Sequence, residues 1–180
     1  MSFSILKSDV SLVFDTLPDL KVRYFCAENP RDHIYTYAQM YAAPQGLAVS
    51  LRAFEQTPDE GSQVVFALGG PQSAVLRFCL SPLGAALHLL ENNEAHALHL
   101  PEVTRFAGED EHGWYWGGEL LLPEQSLLEI GCLLQPESRF GVAVLKAREE
   151  SGILGASYRL PPEGELLRPD LFDEAILSAF

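Results

Sequence analysis

Side chains that alternate with a period of two are the feature that most constrains this sequence. Between residues 34 and 41 one set of side chains alternates with another, namely Tyr35, Tyr37, Gln39 and Tyr41 with Ile34, Thr36, Ala38 and Met40. After the turn signal at residues 43–46, a second alternating run extends from Leu47 to Phe54. Successive side chains of a strand point to opposite faces of the sheet. The pattern therefore predicts an antiparallel hairpin with one buried face.

Similar strand-like runs recur along the chain, with little helix between them. They are predicted at residues 62–68, 74–80, 86–91, 95–100, 114–122, 140–147 and 153–160. Residues 104–107 are predicted to be short and extended, 108–113 to form an acidic loop, and 124–130 to form one short helix. This rhythm predicts an all-β fold, a two-sheet antiparallel β-sandwich with one short helix. Because no repeat or linker interrupts it, we expect a single domain over residues 1–180.

The C-terminal segment, residues 169–180, fits two structures. Asp170 could cap a helix that contains Ala175, Ile176 and Ala179. A closing strand from Ala175 to Phe180 is the alternative. Periodicity does not decide between them in so short a stretch.

The charge of the chain limits its partners. The net charge is −13, from 25 acidic and 12 basic residues, and the basic residues are scattered singly. Such a surface repels phosphate groups, so we expect neither nucleic acid nor an anionic membrane as a partner. No apolar stretch reaches the roughly 20 residues that a membrane helix needs. A neutral ligand such as a sugar is compatible with this charge.

The three cysteines give no sign of a metal or redox site. Cys26, Cys79 and Cys132 are far apart and form no Cys-x-x-Cys pair. We expect them to be small apolar residues of the core, and we predict no cofactor. This usage fits a reducing compartment, and the N-terminus carries no leader-like apolar region. The expectation is therefore a cytoplasmic location.

The sequence Trp114-Tyr115-Trp116 is the first candidate for a ligand contact, because sugars stack their C–H faces on flat aromatic rings. In a strand, Trp114 and Trp116 share one face and Tyr115 takes the other. Leu120 and Leu122 continue the parity of the tryptophans, which favours a place in the core. A bulge at the glycines that follow Trp116 would change this phase. Core and ligand contact both remain open.

Catalytic and metal-binding patterns are weak. His96 and His99 would point to opposite faces of a strand, which opposes joint metal ligation, so no metal site is predicted. The acidic run at residues 109–111 lacks the pattern of a calcium loop. No nucleophile or metalloprotease motif occurs, and Glu55 and Glu119 are at most single members of a carboxylate pair. We therefore predict that the protein is not an enzyme.

Four segments together resemble family 9 carbohydrate-binding modules and the related DOMON-like domains. Residues 41–52 resemble the opening hairpin of that family, 113–123 its late Gly-aromatic, Glu, apolar, Pro signature, 140–144 the strand that follows, and 169–172 its closing Pro-x-Leu-Phe. The resemblance implies a jelly-roll-like sandwich whose final segment is a strand. It also implies sugar binding between aromatic side chains, with Tyr158 as a second stacking ring. Residues 62–68 lack the acidic pair that the family carries there, and the turn at residues 43–44 lacks its usual acid.

Three functional hypotheses follow. The first is a non-catalytic carbohydrate-binding module that holds an oligosaccharide on Trp114, Trp116 and Tyr158. The second is an interaction or structural β-sandwich that has lost sugar binding and takes a protein partner or a second copy of itself. The third is a small hydrolase with two carboxylates about 5–10 Å apart in a cleft.

Overall fold

The computed structural model describes residues 2–178, and within them the chain is mainly β-strand. The elements are β1 (Ser2–Lys7), β2 (Leu20–Lys21), β3 (Tyr24–Phe25), β4 (Thr36–Ala43), β5 (Gly46–Ala53), β6 (Ser62–Gly69), β7 (Val75–Leu80), β8 (Ala85–Glu91), β9 (Glu94–Ala97), β10 (Val103–Asp110), β11 (Gly113–Pro123), α1 (Glu124–Leu128), β12 (Arg139–Arg148), β13 (Gly152–Ala156) and β14 (Asp173–Ser178). Short 3-10 turns lie at Phe14–Thr16, Pro30–Asp32 and Pro169–Leu171.

The strands form a curled sheet in the order β10-β11-β5-β4-β1-β14-β12-β6-β7-β8-β9. We call β10-β11-β5-β4 the first sheet and β14-β12-β6-β7-β8-β9 the second sheet. Strand β1 joins them and pairs in parallel with both β4 and β14. Within each of the two sheets the neighbouring strands are antiparallel. The predicted all-β sandwich with one short helix is confirmed, with β1 as a parallel link that the sequence did not indicate.

The core lies between the two sheets and is built by the predicted alternation. One parity of each strand faces inward, and the buried residues on it include Met40, Val49, Leu51, Val64, Phe66, Phe78, Leu87, Leu122 and Val144. Burial of these apolar side chains is the main stabilising contribution to the fold. The opposite parity faces outward and is therefore available for a site.

Two chain segments cover parts of the outward faces. On the first sheet, Leu17 packs on Tyr41 and Ala48. On the second sheet, Tyr158 and Phe172 belong to a cluster with Val65, Ala67, Val75, Ala143, Leu145 and Ala156. Each outward face is thus partly covered by one of these segments, and a ligand can reach only the regions of the face beside them.

The predicted loop at residues 108–113 is wrong. Strand β10 continues to Asp110, where Gly108 pairs with Tyr115 and Asp110 with Gly113. Pairing with β11 outweighs the weak strand propensity of glycine and acidic residues. The predicted strands at 95–100 and 153–160 also end early, at Ala97 and Ala156.

The C-terminal alternatives are resolved over the described residues. Asp173–Ser178 is a strand that pairs with β12 and β1, so the helix is excluded there. Ala175 and Leu177 are fully buried, as the period of two requires. Residues 179 and 180, the end of the predicted closing strand, lie outside the described residues.

Candidate functional site

The two tryptophans differ sharply in exposure. Trp116 is 6% exposed and belongs to the core, whereas Trp114 is 48% exposed at the start of β11. They share one face of the strand, and Trp116 pairs with Ala53 of β5. Only the ring of Trp114 can therefore stack on a ligand, while Trp116 is a structural residue.

Trp116 takes part in a charged cluster that closes this end of the sandwich. Its Nε1 donates to Glu55 Oε2 at 3.2 Å, and Ser62 Oγ donates to the same oxygen at 2.6 Å. Arg148 Nη2 donates to Glu55 Oε1 at 3.1 Å. The fully buried Lys146 places its Nζ 3.5 Å from Glu55 Oε2. We call Glu55, Ser62, Trp116, Lys146 and Arg148 the end cluster.

The electrostatics of the end cluster keep Glu55 ionised. Burial by itself would raise the pKa of Glu55, but the hydrogen bond from Ser62, the charge of Lys146 and the hydrogen bond from Arg148 bring that pKa below its ordinary value. Burial lowers the pKa of Lys146, although Glu55 opposes this effect. Both carboxylate oxygens of Glu55 are occupied by internal donors, so the cluster is suited to holding the fold together and poorly suited to binding a ligand.

The carboxylates considered for hydrolysis do not face one cleft. Glu55 is held in the end cluster by Trp116 and Arg148, whereas Glu119 of β11 pairs with Ser50 and lines a separate groove with Thr104 and Tyr41. A glycoside hydrolase needs its two carboxyl groups on either side of one bond. The hydrolase hypothesis therefore gains no support from Glu55 and Glu119.

Tyr158 is buried and does not offer its ring to solvent. It is 3% exposed, its ring centroid lies 5.3 Å from that of Phe172, and burial raises the pKa of its hydroxyl. The hydroxyl donates to the carbonyl oxygen of Leu166 at 2.6 Å. Tyr158 thus fixes the segment 165–170, which we call the strap, against the second sheet.

The strap forms one wall of a cleft with a volume of about 870 Å³. The other walls are the outward faces of β7 and β8 and the hairpin between β8 and β9. Asn92 and Asn93, with φ of 51° and 62°, form the two-residue turn of that hairpin, as predicted from the sequence. Apolar side chains from both sides line the cleft, namely Val75, Leu90, Ile153, Leu166, Leu167 and Pro169.

Arg77 lies on the floor of this cleft and has no counter-ion in the part of the chain that the structure describes. Its Nε is buried without a hydrogen-bond partner, and no ion pair of Arg77 occurs among residues 2–178. Arg77 pairs across the sheet with His88, whose Nδ1 is also buried without a partner in the described part of the chain. Arg77 lines the cleft and His88 does not, so the ligand-accessible part of this pair is the outer end of the Arg77 guanidinium, whose charge favours a ligand with hydrogen-bond acceptors.

The rim of the cleft is rich in polar groups. Glu91, Asn92, Asn93 and Glu94 come from the hairpin, and Glu165, Arg168 and Asp170 come from the strap. Arg168 already pairs with Asp170, because its Nε donates to Asp170 Oδ1 at 3.1 Å. Sequence reasoning missed Arg77 and this rim, since residues 75–95 and 165–170 are joined only by the fold.

The described residues contain no cluster of three or more His, Cys, Asp or Glu side chains placed to hold a metal ion. His96 lies 3.5 Å from Glu94 and is largely exposed. No helix within residues 2–178 is long and apolar enough to span a membrane.

The sequence matches no protein-family model and no curated protein. Solved structures do match. A family 9 carbohydrate-binding module from Caldicellulosiruptor kristjanssonii in complex with cellotriose has a TM-score of 0.63 at 10% identity, covering 100% of this chain and 95% of the other. The same organism's module in complex with glucose gives 0.62 at 9% identity, covering 100% and 97%. A candidate carbohydrate-binding protein from Bacteroides uniformis gives 0.69 at 10% identity, covering 98% and 99%. The fold is therefore similar to that of family 9 carbohydrate-binding modules.

Proposed function

We propose that this protein is a non-catalytic carbohydrate-binding domain that holds an oligosaccharide in the cleft between the strap and the second sheet. The observation that carries the proposal is Arg77, a cation without a partner among the described residues on the floor of an 870 Å³ cleft. Concave sites with an apolar lining and a few convergent polar groups are typical of ligand sites. The hydroxyl oxygens of a sugar can accept hydrogen bonds from the Arg77 guanidinium.

The walls of the cleft suit the two kinds of surface that a sugar presents. Leu90, Ile153 and Leu167 offer an apolar wall to C–H groups. Asn92, Asn93 and the rim carboxylates accept or donate hydrogen bonds to hydroxyl groups. Rim groups of both signs favour a neutral ligand, in agreement with the expectation from the net charge of −13.

The comparisons support this proposal at the level of the fold. Two of the similar structures hold cellotriose and glucose, and carbohydrate-binding modules do not catalyse a reaction. Because identity is only about 10%, the candidate binding residues follow from the geometry of the cleft and not from these structures. A relation to DOMON-like domains and a cytoplasmic location remain predictions, which a deeper alignment and cell fractionation would test.

Trp114, Trp116 and Tyr158 take different parts in the proposal. Tyr158 acts as a positioning residue, because it holds the strap at Leu166. Trp116 supports the fold through Glu55. Trp114 is an alternative stacking contact, since its ring is 48% exposed but does not line the cleft.

The proposal is tested by isothermal titration calorimetry against soluble cello-, xylo-, manno-, malto- and laminari-oligosaccharides of three to six residues. We expect saturable binding that Arg77→Gln weakens about tenfold to hundredfold, because hydrogen bonds to a charged group contribute about 1.5–3 kcal/mol. Arg139→Gln is the matched control, since that arginine is 63% exposed on β12 and does not line the cleft.

Tryptophan fluorescence separates the cleft from Trp114. Binding in the cleft leaves the emission maximum unchanged, whereas stacking on Trp114 shifts it to the blue and is abolished by Trp114→Ala. Full affinity in Arg77→Gln with loss in Trp114→Ala would move the site to the tryptophan. No binding to any oligosaccharide would favour the interaction scaffold instead.

A further inference from the structure

A second candidate binding surface lies on the outward face of the first sheet, away from the cleft. Two rows of residues cross its four strands. One row runs Tyr37, Arg52, Gly117, Phe106 in the registers of β4–β5, β5–β11 and β11–β10. The next row holds Tyr35, Phe54, Tyr115 and Gly108, and His112 from the β10–β11 turn packs against it. We call these rings, with Arg52 at their centre, the aromatic surface.

Glycines bring the rings close to the sheet. A Cβ atom at Gly117 would lie 2.8 Å from the ring of Phe106, and a Cβ at Gly108 would lie 2.7 Å from the hydroxyl of Tyr115. Each ring thus packs over the glycine of the neighbouring strand. Four strands about 4.8 Å apart make a surface roughly 14 Å across, which is wide enough for several sugar rings.

The rings remain accessible. Tyr35, Phe54, Phe106 and Tyr115 are partly exposed and His112 is exposed, although each touches a neighbouring ring. Tyr37 is buried beneath them, and its burial raises the pKa of its hydroxyl to about 12. The surface is therefore shallow, with a fixed base and a partly open upper side.

Arg52 is held among the rings with its donors only loosely used. Its guanidinium carbon lies 4.5 Å from the ring centroid of Tyr115, 5.4 Å from that of Phe106 and 5.7 Å from that of Tyr37. Its ion pairs are long, at 3.4 Å to Asp15 and 3.9 Å to Asp110. Its Nε is buried without a hydrogen-bond partner among residues 2–178. The Arg52 guanidinium can therefore donate hydrogen bonds to the oxygens of a ligand that stacks on the surrounding rings.

Charge balance identifies the class of ligand. Arg52 is offset by Asp15 and Asp110, and Lys21, whose Nζ lies 5.6 Å from the ring centroid of Tyr35, is offset by Asp19. The surface therefore offers both donors and acceptors with little net charge, which disfavours a strongly anionic or cationic ligand. A neutral glycan presents C–H faces to the rings and hydroxyl groups to the charges.

We infer that the aromatic surface is a second glycan-binding surface, which contacts a neutral glycan chain by stacking and through Arg52. The ligand class rests on the proposed function, but the surface is separate from the cleft. The two lie on opposite outward faces of the sandwich. One chain therefore binds two oligosaccharides.

The experiment is calorimetric titration with the same oligosaccharide panel, read as stoichiometry. We expect two sites per chain, of which Arg77→Gln weakens one and Tyr115→Ala or Tyr35→Ala weakens the other at least tenfold. Tyr24→Ala is the matched control, because Tyr24 is an exposed tyrosine outside both surfaces. The His112 ring signals in NMR spectra of the unmutated protein give a readout that does not depend on the folding of a variant, and they should shift on binding.

The outcomes separate the two proposals. One site that is lost only in Arg77→Gln, with unmoved His112 signals, overturns the second surface and leaves the proposed function intact. One site that is lost only in the tyrosine variants overturns the cleft and supports the aromatic surface. No binding by any oligosaccharide overturns both.

Discussion

At the scale of single residues, the end cluster shows how a buried charge is tolerated. Lys146 is fully buried, a position that is costly for an ammonium group unless it is paired. Glu55 pairs with it and accepts further hydrogen bonds from Ser62, Trp116 and Arg148. The sequence presents Glu55 and Lys146 as isolated charges more than ninety positions apart. Their pairing could not be predicted because it depends on sheet register.

We predict that Glu55→Gln destabilises the protein by roughly 3–5 kcal/mol at pH 7, because Lys146 is then buried without its partner. The lowered pKa of Glu55 contributes stability above its ordinary value of 4.5 and loses it as the pH falls through the lowered pKa. The variant should therefore lose less stability than the wild type between about pH 5 and 3. Urea unfolding across this range measures both effects.

Glu174→Gln is the control for that series, since Glu174 forms an exposed pair with Arg139 and its loss should cost less than about 1 kcal/mol. Equal stability of Glu55→Gln and the wild type at pH 7 would contradict the account of the end cluster.

Tyr158→Phe tests the positioning of the strap. The change removes the hydrogen bond to Leu166, so we expect a loss of about 1 kcal/mol in unfolding free energy. It should also speed amide exchange in residues 165–170 and weaken oligosaccharide binding in the cleft. Tyr24→Phe serves as the control, because Tyr24 is exposed. Unchanged exchange in the strap would show that Tyr158 does not hold it.

At the scale of elements, the alternation of apolar and polar side chains predicts most of the strands. The bounds of the remaining strands depend on the strands with which they pair. The parity of Trp116, Leu120 and Leu122 correctly favoured the core for Trp116, whereas Trp114, at the strand end, is half exposed. For the end of β10 the sequence predicts a loop, because Gly108 and the acids after it disfavour strands in isolation. Strand β1 was missed because its pairing is parallel and connects segments at the two ends of the described chain.

Gly117 tests the pairing of β5 with β11. A Cβ at this position would lie 1.9 Å from the carbonyl oxygen of Leu51, so Gly117→Ala must displace one strand. We expect a loss of about 1–3 kcal/mol in a urea melt. Gly84→Ala is the matched control, because a Cβ there meets nothing closer than 4.0 Å. A melt of Gly117→Ala that coincides with the control would contradict the described packing.

At the scale of the whole molecule, the sandwich could be predicted from sequence but the cleft could not. Regular alternation and turn signals suffice for a fold class. The cleft requires the strap to return across β7 and β8, and no local pattern in residues 165–170 reports that contact. The aromatic surface has the same origin, since its rings come from four strands and meet only through their registers.

NMR mapping of backbone amide shifts during titration shows whether an oligosaccharide binds in the cleft. We expect shifts at Val75, Arg77 and Leu90 and through residues 165–170, and in Arg77→Gln we expect the same shifts to need about tenfold to hundredfold more oligosaccharide. Shifts confined to residues 112–116, or none with any member of the oligosaccharide panel, would contradict binding in the cleft.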